Sequence, residues 1–188
     1  MESVAANPST FHSEYLYELL IPQTQLLALA ESIPAESFQW RPAEDARSFS
    51  EAMVHIAAGN LMLLYRADVV EPEVMELCGG IEGDADSRWK AVIRKILFLE
   101  KTVTEKAAVL ALLKRSFETV RRAFRAATED DLGAEGEFFG QETTVRRFYL
   151  RILAHSNEHM GQAIAYARVM GYRVPWPDPL KDLDRIPK

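Results

Sequence analysis

Of the four histidines in this 188-residue chain, two have a spacing that suggests chemistry. His155 and His159 stand four residues apart in RILAHSNEHMGQAIAYARVM, a stretch of helical periodicity. On an α-helix that spacing puts both side chains on one face, about 6 Å apart at Cβ, so two imidazoles can reach one ion. Phe148 and Ile152 continue the same line and turn the pair toward the protein interior. The pair alone is a weak signal, because i,i+4 histidines also occur on solvated helix faces. His55 is the natural third ligand. It flanks the apolar stripe of another helix, beside Ala52 and Gly59, whose small size leaves room for a ring, an ion and a substrate. Three imidazoles leave at least one coordination position for water or substrate, as in catalytic rather than structural sites. Such an ion lowers the pKa of bound water, or binds a thiolate and orients it. The expectation is one divalent metal ion, zinc or nickel first and iron or manganese next, since imidazole suits several of these metals.

Other polar residues sit close enough to the histidines to share their work. Glu158 lies between the pair in sequence and is a candidate base or hydrogen-bond partner, against the plainer reading of a solvated helix carboxylate. His155-Ser156-Asn157-Glu158-His159 also fits the H-x-x-E-H motif of inverted zinc proteases. That reading is rejected, because those enzymes are large and take a glutamate ligand well downstream, where this chain has only a short proline-rich tail. Gln162, one turn beyond His159, and Asn60, in the middle of an apolar stripe, are candidate substrate-binding amides. Either could instead fill a buried polar gap. His12 reads as a first-turn residue of the first helix, partly exposed, and Cys78 as an incidental thiol in a glycine-containing loop. Tyr65 and Tyr166 read as packing residues, as do Trp40 and Trp176. Each histidine ligand also needs an acceptor for its second ring nitrogen, and the sequence does not say which group supplies it.

Four long helices must position these residues. The first runs from Phe11 along Tyr15, Leu19, Leu26, Leu29 and Ile33 to a stop at Pro34, with Pro22 expected to kink or split it. Ser48-Phe49-Ser50-Glu51 is a capping box that opens the second, which reaches about Asp68. Residues 69–87, with Pro72, Gly79, Gly80 and Gly83, read as a long surface connection, and 88–100 as a short extra helix. The third long helix spans about Thr104–Ala127. Glycines at 133, 136 and 140 break the next stretch. Thr143 or Thr144 then caps the last helix, and Gly171 suits its C-terminal stop. No strand pattern or hairpin signal stands out. The expected fold is all-α, a four-helix bundle with a long connection between helices 2 and 3. It forms one domain over 1–188, with a core of about 11–171 and an extended tail over 172–188.

Composition narrows the function classes. The net charge is −6 with 48% hydrophobic residues, and no basic face is apparent, which argues against nucleic-acid binding. One cysteine cannot form an internal disulfide. The first ten residues lack the features of a signal peptide, and no apolar run approaches a membrane span. The expectation is a cytoplasmic protein with a small-molecule substrate and neither a nucleic acid nor a membrane as partner.

Several ordered motifs resemble the DinB/YfiT-like superfamily: Phe38-Gln39-Trp40-Arg41-Pro42, Ala46-Arg47-Ser48, Met53-Val54-His55-Ile56, Gly136-Glu137-Phe138-Phe139-Gly140, and Ala154-His155 through His159-Met160-Gly161-Gln162. Val174-Pro175-Trp176-Pro177 is similar as well. Together they cover about residues 11–177. The resemblance implies a four-helix bundle holding a metal on His55, His155 and His159, and several members are homodimers in architecture. It also implies an enzyme of the thiol S-transferase type that uses a low-molecular-weight thiol. The alternatives are a non-catalytic stress-related metal-binding bundle and a metal-dependent hydrolase with Glu158 as base. The 69–100 region is longer than in compact members.

Overall fold

The computed structural model describes residues 10–176, so the leading residues 1–9 and the tail from 177 onward lie outside the described residues. The four long helices are α1 (Phe11–Ser32), α2 (Phe49–Arg66), α5 (Lys106–Ala126) and α7 (Val145–Val169). Between α2 and α5 run α3 (Pro72–Cys78) and α4 (Ala85–Thr102), and the short α6 (Glu129–Gly133) precedes α7. The fold is all-α with a four-helix bundle. α2 packs on α5 and α7, and α1 packs on the same two helices, which places α1 and α2 across the bundle from each other. This arrangement makes α2 and α7 neighbours, and so brings His55 to the histidine pair. A core of Tyr15, Leu19, Leu26, Met53, Ile56, Phe117, Phe124, Phe148 and Ile152 fills the centre.

Local sequence accounts for most element ends. Both halves of the Ser48/Glu51 capping box are present. The Glu51 carboxylate, almost fully buried, also accepts from Arg41 at 2.9 Å and Lys101 at 2.8 Å, tying the preceding connection and α4 to the start of α2. Burial alone would raise the Glu51 pKa; the hydrogen bonds from Lys101, the Ser48 N–H and Arg41 outweigh it and hold the carboxyl below its usual range. Gly171, at φ +86°, ends α7, with its own N–H on the Arg168 carbonyl and that of Tyr172 on Ala167. Trp40 lies edge-on to Tyr166, and Trp176 packs against the core.

The structure departs from the sequence reading in four places. Pro22 does not split α1, which is one helix from Phe11 to Ser32. The carbonyl that loses its amide partner is that of Glu18, an exposed residue, where water can take over. The short extra helix of the 69–100 region is the eighteen-residue α4, which packs on α2 and reaches the histidine site. Cys78 closes α3 and is fully buried, with burial raising its thiol pKa to about 12, so it is inert rather than a loop thiol. Finally, Glu135–Phe138 (β1) and Gln141–Thr144 (β2) form an antiparallel hairpin. Its two central residues, Phe139 at φ 51° and Gly140 at φ 75°, both take positive φ, as a type I′ turn requires. The Phe139 position is unusual for a bulky residue, and the usual Asn-Gly or Asp-Gly signal is missing. Gly136 lets β1 lie against α7, since a Cβ there would stand 3.0 Å from the Phe148 ring.

Candidate metal centre

His55 on α2 and His155 and His159 on α7 converge where these helices face each other. Each offers a ring nitrogen, and the three nitrogens lie within 4.8 Å of one another. The His55 and His155 Nε2 atoms are 3.1 Å apart. That is about the separation two nitrogens take around a tetrahedral ion with bonds of ~2.0–2.1 Å. The ring centroids are 4.6–5.0 Å apart.

The neighbours of each ring decide which nitrogen is free. His55 Nδ1 donates to Glu100 Oε1 at 2.7 Å, which fixes its proton there and leaves the Nε2 lone pair open. Glu100 comes from α4 and is held in turn by Arg47 at 2.8 Å. His159 Nδ1 donates to Gln162 Oε1 at 2.8 Å, while the Gln162 amide donates to the Tyr166 hydroxyl at 2.7 Å. Its Nε2 is likewise open. His155 differs: its buried Nδ1 has no hydrogen-bond partner among the described residues. A proton on His155 Nε2 would point at His55 and leave Nδ1 an unmet acceptor. A proton on Nδ1 would leave it an unmet donor and set two lone pairs against each other across 3.1 Å. A cation shared by the Nε2 atoms removes that second conflict, so this donor set fits a divalent ion.

Burial, with the neighbouring His159 and His55, lowers the His155 pKa from its ordinary 6.5 to about 3. Burial also lowers His159, despite the bond to Gln162. Both rings are therefore neutral at pH 7, the form that coordinates metal. The stability of the metal-free protein follows. Below pH 6.5 the unfolded chain protonates His155 and the folded chain does not, so stability falls as pH falls toward 3, and the lowered His159 contributes with the same sign. Between 6.5 and the ordinary glutamate value of 4.5 the slope belongs to the histidines, at up to about 1.4 kcal/mol per pH unit per group. Thermal unfolding of chelated protein across that window is expected to show this slope, and His155→Gln is expected to flatten it. An unchanged slope in the variant would remove the assignment.

The other sequence candidates separate cleanly. Gln162 orients His159. Asn60 is fully buried, donating to Ser116 and accepting from Ser156 at 3.3 Å each, so it links α2, α5 and α7 and is not open to a substrate. Glu158 lies on the exposed side of α7, paired with Arg151 at 3.1 Å. His12 bonds the Ala127 carbonyl and pairs with Glu129, away from the triad. The carboxylate that serves the triad is Glu100, forty-five residues from its histidine, which sequence reasoning missed. The only signal was the general requirement for an acceptor.

A cavity of about 420 Å³ opens beside the triad, with His55 and His155 in its wall. α2 and α4 supply Met62, Leu63, Trp89, Ile93, Ile96 and Leu97, and the hairpin adds Phe138 and Phe139. This is a ligand-sized, mostly apolar pocket with a few polar groups. Among the described residues no helix is long and apolar enough to cross a membrane.

Comparison with known proteins agrees with this architecture. The family model of the DinB superfamily matches residues 19–163. A DinB-like protein from Bacillus cereus is similar in structure at TM-score 0.61 and 18% identity, over 87% of this chain and 95% of that one. The DinB-like protein YjoA of Bacillus subtilis superposes at 0.52 and 20%, over 87% and 96%. YfiT from Bacillus subtilis, described as a probable metal-dependent hydrolase with an unusual four-helix bundle topology, gives 0.62 and 15%, over 92% and 97%. No curated protein sequence matches the chain.

Proposed function

The chain belongs to the DinB superfamily, and from that premise we propose that it is a metal-dependent enzyme of small-molecule chemistry, with thiol transfer as its reaction. One observation carries the reading: three histidine nitrogens lie within 4.8 Å of one another, and two of the three rings, His55 and His155, wall a mostly apolar cavity of about 420 Å³. His55, His155 and His159 hold a divalent ion, zinc or nickel before iron or manganese. That ion supplies Lewis-acid activation of a bound thiol or water. Glu100 and Gln162 keep the protons of His55 and His159 on Nδ1, and the apolar walls hold the organic body of the substrate and limit water.

The carboxylates favour thiol transfer over hydrolysis. A hydrolase needs a base to take the proton of its water. Glu100 is committed to His55 and Arg47, Glu137 is two-thirds exposed on the hairpin, and Glu158 is exposed and paired with Arg151. A thiol ionises far more readily than water and makes less demand on such a base. In the reaction, the sulfur of a low-molecular-weight thiol bonds to a small electrophile, whose leaving group departs as the thiol proton passes to solvent. Hydrolysis is the second reading: YfiT is described as a probable metal-dependent hydrolase, and in this chain Glu158 would have to serve as the base.

Metal content of purified protein and turnover of a panel of electrophiles, with and without added thiol, test both. The expected outcome is turnover that requires metal and thiol together and survives Glu158→Gln. Thiol-independent turnover lost in Glu158→Gln would establish the hydrolase instead, and protein that binds no divalent ion would end both readings.

A further inference from the structure

The cavity has a charge pattern that the triad does not account for. Three arginines, Arg47, Arg66 and Arg151, line it, against the carboxylates of Glu100 and Glu137, in a chain whose net charge is −6. Arg47 and Glu100 form a pair that also carries His55, so their charges are mutually engaged. Arg66 is different. Its Nη2 bonds the Glu137 backbone carbonyl at 2.7 Å but lies 4.0 Å from that residue's carboxylate, and the guanidinium sits 5.8 Å from the centre of the Trp89 ring. Arg151, one turn before His155, has a single solvent-exposed contact with Glu158, through Nη2 at 3.1 Å. A guanidinium has five N–H donors, so each retains several for another acceptor.

We infer that this cavity binds a small amphiphilic anion, with an apolar body against Trp89, Ile93 and Phe139 and a terminal oxyanion, such as a carboxylate, on Arg66 and Arg151. Planar guanidinium forks match carboxylate-type oxyanions, and such charge-assisted bonds are stronger than neutral ones. The lining is net positive, three arginines against two carboxylates, and a positive cleft within low-dielectric walls concentrates anions, here against the acidic balance of the rest of the chain. The walls are otherwise apolar, so a small hydrated anion with no organic body would leave them unused. Calling this anion the substrate rests on the proposed reaction at the triad; the anion site itself requires no metal.

The test uses full-length, chelator-treated protein and two fluorescent probes of nearly the same aromatic body, anilinonaphthalene sulfonate and neutral phenylnaphthylamine. The charged probe is expected to bind at least about tenfold more tightly, the scale of one charge-assisted contact, and to weaken as salt is raised. The double variant Arg66→Gln/Arg151→Gln is expected to bring the two probes within about twofold of each other. On the unaltered protein, octanoate is expected to displace the probe and quench tryptophan fluorescence where octanol does not. That quench is expected to vanish in Trp89→Phe, which ties the signal to this cavity and decides the matter even if the double variant does not fold. Equal binding of both probes, a preference that persists in the folded double variant, or a quench unchanged in Trp89→Phe overturns the inference. Absence of metal in the purified protein leaves these outcomes untouched and bears on the reaction alone.

Discussion

Gly59→Ala is expected to strip the triad of its metal about as thoroughly as His155→Ala, while leaving the metal-free bundle at least as stable as before. The His155 ring lies against the α2 backbone at Gly59. A Cβ there would stand 2.5 Å from His155 Cε1, 3.0 Å from Nδ1 and 3.4 Å from Nε2. The first distance is far inside van der Waals contact, so something must move. The obstructed atoms are the tip of a side chain with two rotatable bonds, so the ring can swing aside without separating α2 from α7. Moving it takes one of three nitrogens away from the point the other two share. Loss of an orienting partner alone costs ten- to a hundredfold in metal affinity, so displacing a ligand is expected to cost at least about a hundredfold. The helix itself gains, because alanine is favoured over glycine in a helix interior by ~0.8–1 kcal/mol. Metal titration and thermal unfolding in chelator read the two effects separately. Retained affinity would show that the ring is not held where the structure places it. A marked fall in the metal-free melting temperature would show that the helices, rather than the ring, give way.

That glycine marks how far sequence reasoning reached. Its small size beside His55 was legible as room for a ring, and the ring that uses the room is His155. The shared face of His155 and His159 was legible because spacing on a strongly periodic helix fixes it, whereas the grouping of His55 with them leaned on the family resemblance, and the structure brings the three rings together. The Ser48/Glu51 cap and the Gly171 stop were legible because their chemistry is local to a few residues. The hairpin was not, because its turn places a phenylalanine where Asn or Asp usually signals it, and its strands are four residues each. Nor was the partner of His55. Glu100 sits on α4, and nothing in a helical pattern says which distant carboxylate folds back onto which imidazole. Asn60 shows the converse limit. A polar residue in an apolar stripe requires a partner, and two buried serines on other helices satisfy that requirement with no ligand at all.

Glu100→Gln is expected to weaken metal binding ten- to a hundredfold, and Arg47→Gln to change it by less than about threefold, although both break the same ion pair. Burial by itself would raise the Glu100 pKa, but the hydrogen bonds from His55 and Arg47 hold it below the usual carboxylate range, so the group is an anion at neutral pH. As an acceptor on both oxygens, it takes the His55 Nδ1 proton on Oε1 and the Arg47 Nε proton on Oε2. Glutamine keeps the shape and replaces one acceptor with a donor. If its NH₂ faces His55, the imidazole proton is driven onto Nε2, the nitrogen needed for the metal. If it faces Arg47, two donors confront each other, and His55 keeps only a neutral acceptor that makes Nε2 a poorer base. Arg47→Gln is gentler: the carboxylate stays on His55, and Arg47, about one-third exposed, was the member of the pair with access to water. Metal affinity by competition with a calibrated chelator separates the cases. Equal losses in the two variants would mean that the ion pair positions α4 and nothing more. A selective loss in Glu100→Gln would identify the carboxylate as the group that sets the proton position, and hence the ligand strength, of His55.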